Sequence, residues 1–127
     1  MYIGFVGYSS GDFDVNKAKN IINTIFSELI KDDIIVGGAT NLGINKLVYE
    51  KAKQLGMKTV GIMCKKGFDY EIFNVDELIV VGEEWGDESQ EFLSSIEVLY
   101  KIGGGQQSKK EFEMAKKMNI ETHEYLL

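Results

Sequence analysis

Arginine is absent from this chain: all 14 basic residues are lysine, set against 20 acidic ones for a formal charge of −6. Arginine is the side chain that grips phosphate or carboxylate with two parallel N–H bonds. An anion bound here has to be held by backbone N–H groups, hydroxyls, amides and single lysines. The acidic balance, with no basic run of any length, excludes nonspecific nucleic-acid binding, which rewards basic patches against the phosphate backbone. A single cysteine, Cys64, excludes an internal disulfide, and with the single histidine, His123, it leaves no recognisable zinc site, so no metal is expected. No stretch approaches the roughly 18 consecutive apolar residues that a membrane-crossing helix needs. The N-terminus enters a strand pattern at once, without the basic and apolar segments of a signal peptide. A cytoplasmic protein with neither membrane nor nucleic acid as partner is the expectation. Proline is also missing, and that absence excludes no function.

What is present is an ordinary globular composition, 44% hydrophobic over 127 residues. That length makes one domain over 1–127, too short for a dinucleotide fold plus a substrate domain. Any larger active site must be shared between subunits. Apolar residues predict buried strands over 2–6, 34–36, 59–63, 77–81 and 98–102, with a last edge strand near 120–125. Between them, Val15, Ala18, Ile22, Ile25, Phe26 and Leu29 recur at helical spacing behind Asp14, a good N-cap. Ile44, Leu47, Val48, Ala52 and Leu55 mark a second helix that Gly56 closes. A short acidic helix follows at about 87–94, and a last one at about 109–118. The stretch 64–74 has no period and reads as a loop or lid. Strand–helix alternation of this kind predicts an α/β fold: a single doubly wound, Rossmann-like domain with a mostly parallel sheet, binding its ligand outside the carboxyl ends of the strands.

Three glycine-rich turns fall just after three of these strands: Gly7-Tyr8-Ser9-Ser10-Gly11, Gly37-Gly38-Ala39-Thr40-Asn41-Leu42-Gly43 and Gly103-Gly104-Gly105-Gln106-Gln107-Ser108. In a parallel sheet they gather on one edge, where helix N-termini offer free N–H groups and partial positive charge. The expected ligand-binding set is Gly7, Tyr8, Ser9 and Ser10 from the first turn and Gly37, Gly38, Thr40, Asn41 and Gly43 from the second. Gly103, Gly104, Gly105, Gln106, Gln107 and Ser108 complete it from the third. Within the third, Ser108 and Glu111 have the S-x-x-E spacing of a capping box. Glu111 therefore has two readings, a helix-capping carboxylate or one that orients a ribose or activates water.

The run from Gly103 to Glu111 resembles the G-G-x-G-T-x-x-E motif of the SLOG superfamily, which includes the cytokinin-activating phosphoribohydrolases once described as lysine decarboxylases. Gly37 to Ile44 resembles the G-G-x-x-x-G-L-M turn of that superfamily, and Ser9-Ser10 its opening G-S-S. The resemblance covers nearly the whole chain and is closest to the compact branch that includes molybdenum cofactor carrier proteins. It implies a Rossmann-like fold, a nucleotide or pterin-type ligand, and Glu111 as the catalytic carboxylate if the protein is an enzyme. The chain departs from the pattern in carrying Gln107 for the second glycine, Ser108 for threonine, and Glu88 near the place of the hydrolases' arginine. That reversal of charge tells against a bound phosphate there and against hydrolysis.

Glu83, Glu84, Asp87, Glu88 and Glu91 read as a solvated acidic face. Trp85 is read first as packing or interface and second as a stacking platform, and Cys64 as a buried filler. Three functions stay open: a nucleotide-binding carrier, sensor or sequestering protein, favoured; a nucleotide N-glycosidase using Glu111; and an interaction domain without a ligand. A homodimer or higher homo-oligomer is expected, through apolar residues outside any helical period: Phe68, Tyr70, Ile72, Phe73 and Trp85.

Overall fold

The computed structural model describes residues 1–10 and 12–127; Gly11, which ends the first glycine turn, lies outside the described residues. Among them, six strands, β1 (Tyr2–Gly7), β2 (Ile34–Gly37), β3 (Lys58–Met63), β4 (Glu77–Val80), β5 (Val98–Ile102) and β6 (Glu121–Tyr125), form one sheet. Its order is β4-β3-β2-β1-β5-β6 and every pairing is parallel, so the expected mostly parallel sheet is wholly so. The helices are α1 (Val15–Phe26), α2 (Gly43–Gln54), α3 (Ser89–Ser94) and α4 (Gln106–Lys117). The doubly wound α/β reading is borne out.

Each central strand alternates its side chains between two cores, because successive Cβ atoms leave opposite faces of the pleat. Ile3 and Phe5 of β1, with Ile35, Tyr100 and Ile102, bury against Ile22 and Ile25 of α1 and Val48 and Tyr49 of α2. Val6, Val36, Val60 and Leu99 bury on the other face against Phe92 and Leu93 of α3 and Phe112 and Ala115 of α4. Strands covered on both faces need near-continuous apolar runs, which is why the central strands were visible as such. At α1 the carboxylate of Asp14 accepts the Lys17 N–H at 3.0 Å, the N-cap foreseen. Gly56 follows α2 in the left-handed region, at φ +70°.

Two local expectations change. The segment 64–74 is a strap tied down at both ends. Lys65–Asp69 forms a 3₁₀ turn, the Phe73 N–H donates to Ala39 O at 2.8 Å, and the Asn41 N–H donates to Glu71 O at 2.9 Å. It crosses the second glycine turn because Phe73 turns inward onto the Tyr49 ring, 5.2 Å between centroids. The last helix begins at Gln106, three residues early, with Gly105 as its N-cap.

Tyr49 joins these parts. Its side chain is fully buried, its O–H donates to Val60 O at 2.9 Å, and burial pushes its hydroxyl far above the usual tyrosine range. Tyr49→Phe should cost about 1 kcal/mol, the net worth of one buried hydrogen bond. Tyr49→Ala, which also empties the space between α2, β3 and the strap, should cost about 3–5 kcal/mol. Urea unfolding of both variants checks the ordering.

Candidate functional site

From β1 the chain winds outward to β4, then returns to place β5 on the other side of β1. The helices diverge at that reversal, and a crevice opens above the carboxyl ends of β1 and β5. A cavity of about 470 Å³ occupies it, within the range of small-molecule sites. Phe5, Val6, Ile62, Met63 and Phe92 form its apolar wall. Tyr70 and Trp85 also line it; both are about half exposed, and their ring centroids lie 5.9 Å apart. Ser9, Ser10, Thr40 and Asn45 supply polar groups, as do Glu88, Gln107, Ser108 and Glu111. No lysine is among the described residues lining it.

Two of the three 12-residue helices open toward this cavity, and neither has a side-chain cap. Leu42 caps α2 and Gly105 caps α4 without a side-chain hydrogen bond, whereas α1, away from the cavity, is capped by Asp14. At α2 the Ile44 N–H is already taken by Tyr8 O at 2.8 Å. At α4 a Cβ added to Gly105 would meet nothing within 4 Å, so the backbone there is open to an approaching group. An anion at that end would gain the N–H groups and dipole of α4.

Of the expected ligand set, the structure brings Gly7, Ser9, Ser10, Gly38, Thr40, Gln107 and Ser108 to the cavity wall, together with Glu111. Tyr8, Gly37, Asn41, Gly43, Gly103, Gly104, Gly105 and Gln106 do not line it. Tyr8 leans away, stacking on Phe13 at 5.9 Å with its hydroxyl 3.5 Å from Leu127 O. The Asn41 amide is held by the Glu71 carboxylate. Gly37 packs under Tyr49 and Asn45, Gly43 passes beneath the Tyr8 backbone, and Gln106 is exposed. Gly103 and Gly104 adopt φ of +61° and +115°, under the Tyr8 ring and against Ser108 respectively. Their freedom serves the turn, so valine at Gly104 would strain the backbone itself.

The capping box does not form. With α4 starting at Gln106, Ser108 lies inside the first turn, and its hydroxyl donates to Gly7 O at 3.1 Å. Glu111 instead faces α3, where its Oε2 accepts from the Ser89 hydroxyl at 2.9 Å. Burial pushes the Glu111 carboxyl up to about 7; Ser89 and Gln107 hold it down in part and the Glu88 carboxylate pushes it further up.

Glu88 is the residue that the sequence reading misplaced. It is only 5% exposed, while Glu83, Glu84, Asp87 and Glu91 around it are exposed as expected. Its Oε1 accepts from the Gly86 N–H at 2.9 Å and from Gln107 Nε2 at 3.3 Å; its Oε2 is buried without a hydrogen-bond partner among the described residues. A helical period through positions 88, 89, 92, 93 and 96, all buried, was the signal available. Cys64 is buried as expected, and burial together with the Glu88 carboxylate pushes its thiol up. His123 lies on the edge strand, paired with Glu121. Of the apolar residues read as an assembly surface, Phe68, Tyr70 and Trp85 are exposed, while Phe73 packs on the core. No cluster of metal-ligating side chains occurs among the described residues. None of their helices is long and apolar enough to cross a membrane.

No protein-family model and no curated protein matches this sequence. Solved structures do share its fold. The molybdenum cofactor carrier protein of Chlamydomonas reinhardtii superposes with a TM-score of 0.79 at 24% identity, over 97% of this chain and 74% of that one. The molybdenum cofactor binding protein of the phototrophic bacterium Rippkaea orientalis gives 0.77 at 20% identity, over 99% and 75%. The structural-genomics target TM1055 gives 0.77 at 19% identity, over 95% and 71%. These likenesses, all under 25% identity, bear out the expected Rossmann-like fold.

The Glu111 environment has a consequence for stability. An unfolded glutamate titrates near 4.5 and the folded one near 7, so between those values the folded state holds the extra proton. Stability therefore falls as pH rises through that window and levels off above it, by roughly 3 kcal/mol in all. Glu111→Gln keeps the neutral shape and should lose that slope, gaining on the parent protein from pH 5 to pH 8. Parallel stability curves in urea across this range would refute the assignment.

Proposed function

We propose that this protein binds a nucleotide or pterin-type small molecule in the crevice between β1 and β5 and carries it unchanged. The observation that bears most weight is the cavity itself: about 470 Å³ with an apolar wall and polar groups beside it, with Trp85 and Tyr70 and the first turn of the uncapped helix α4 in its lining. A ring stacks on the aromatic groups and apolar wall, while an anionic substituent turns toward Ser9, Ser10 and the α4 amides. The names of two structures sharing the fold, a molybdenum cofactor carrier and a molybdenum cofactor binding protein, support a carried cofactor.

A second reading, nucleotide N-glycosidase, is favoured by Glu111, because a carboxyl titrating near 7 in a cavity suits general acid–base work. Against it stands that none of the described residues lining the cavity is a cation that could fix a phosphate during bond cleavage.

Trp85 is the only tryptophan, so its fluorescence reports on the site directly. Titration with nucleotides and pterins should quench it and raise the melting temperature, because a ligand bound only to the native state stabilises it. Trp85→Ala should weaken binding by about tenfold, the worth of one stacked ring. Adenosine monophosphate incubated with the protein should release no free base, and release abolished by Glu111→Gln would establish the second reading instead. A screen in which no compound shifts either signal would remove the carrier reading.

A further inference from the structure

We infer that the part of the cavity wall formed by the buried Glu88 and Glu111, with the exposed Gln107 beside them, is a subsite for the hydrogen-bonding edge of a 2-amino-4-oxopyrimidine ring, the edge that guanine and pterin rings share. The inference rests on the ligand-binding reading above and adds the chemistry that the ligand must present.

Glu88 carries it. A carboxylate oxygen taken out of water without a partner is costly, and Glu88 Oε2 is in that state at 5% residue exposure. The protein supplies no strong donor to relieve it. Among the described residues no lysine or histidine lines the cavity, the Gln107 amide is directed at the other oxygen, and the Cys64 thiol, which hydrogen-bonds the Glu88 carboxylate, is only a weak donor. The missing donor therefore belongs to whatever fills the cavity. A phosphate or carboxylate is excluded from this part of the wall, because it would place a third acidic group beside two buried ones.

The ring edge required is mixed in character. Glu88 offers an acceptor and Glu111, held protonated up to about pH 7, offers an O–H, while the Gln107 amide is directed at these two carboxyl groups and holds them in place. A 2-amino-4-oxopyrimidine presents adjacent ring and amino N–H donors next to a carbonyl acceptor, which complements this set. Hypoxanthine lacks the amino donor, and adenine exchanges the carbonyl for an amino group and the ring donor for an acceptor.

The test is a calorimetric and Trp85-fluorescence titration of the full chain with guanosine, inosine and adenosine monophosphates and with 6-hydroxymethylpterin. The guanine nucleotide, the pterin or both should bind at least about tenfold more tightly than the inosine and adenosine nucleotides. Whichever of the two binds identifies the source of the shared edge. Glu88→Gln should reduce that preference to within about threefold while circular dichroism stays unchanged. If the variant does not fold, the ligand series on the parent protein decides alone. Equal binding of all the nucleotides, or a preference that survives Glu88→Gln, overturns the ring-edge subsite and leaves ligand binding standing. No binding by any compound overturns both.

Discussion

Parallel strands all end on the same side, and the reversal of winding between β1 and β5 leaves that side uncovered at one place. Everything proposed for this molecule depends on that constraint. The strand ends bring three glycine turns to one edge, the helices that follow begin there, and the strap over 64–74 crosses beside them to bring Tyr70 near Trp85. A cavity at this reversal needs no dedicated architecture; its walls are the upper ends of the same side chains that build the two cores, Phe5 on one face and Val6 and Phe92 on the other. The sheet's stability and the shape of the site are therefore properties of the same residues.

Two opposed electrostatic effects meet in this crevice. Helix N-termini favour an anion, yet the side chains packed beside the α4 terminus are two carboxyl groups, Glu88 and Glu111, with Gln107 donating to one and lying beside the other. The proposed ligand would meet both effects with different parts of its structure. The open backbone at Gly105 lies outside the cavity lining, while the carboxyl pair lines the cavity itself beside the first turn of α4, where burial has already made Glu111 favour its neutral form. An asymmetric molecule, anionic at one end and rich in N–H groups at the other, meets both demands, whereas free phosphate meets only one.

The fold was legible because its signals are redundant. Strand runs such as Val98–Ile102, the helical recurrence from Val15 to Phe26 and the cap at Asp14 each point to the same alternation. The site was less legible, for two physical reasons. The start of α4 at Gln106 is set by tertiary packing, with the Ser108 hydroxyl held by Gly7 O and Glu111 by Ser89, and such partners lie far away in sequence. A local motif therefore placed Ser108 at the cap when it belongs to the first turn. Glu88 was hidden by its neighbours, because four exposed acidic residues around it make the run look solvated. Only the phase of the short helix, carried by Ser89, Phe92 and Leu93, turns it inward. The glycines mislead in the opposite sense: Gly103 and Gly104 satisfy the turn's own backbone geometry, and the position left open to a visitor is Gly105.

Burying two carboxyl groups side by side opposes folding, and natural chains retain such conflicts mostly where they serve a site. Here the opposing terms are identifiable. Glu111 destabilises the native state as pH rises toward 7, and the unpartnered Glu88 oxygen adds a cost of about 1–3 kcal/mol. Replacing the pair with apolar side chains would remove both terms without disturbing the sheet, whose register depends on β1, β2 and β5 instead. The proposed ligand, whose N–H groups would pair with Glu88, would recover the second cost on binding. Under the proposed carrier reading, ligand and native state would stabilise one another by mass action.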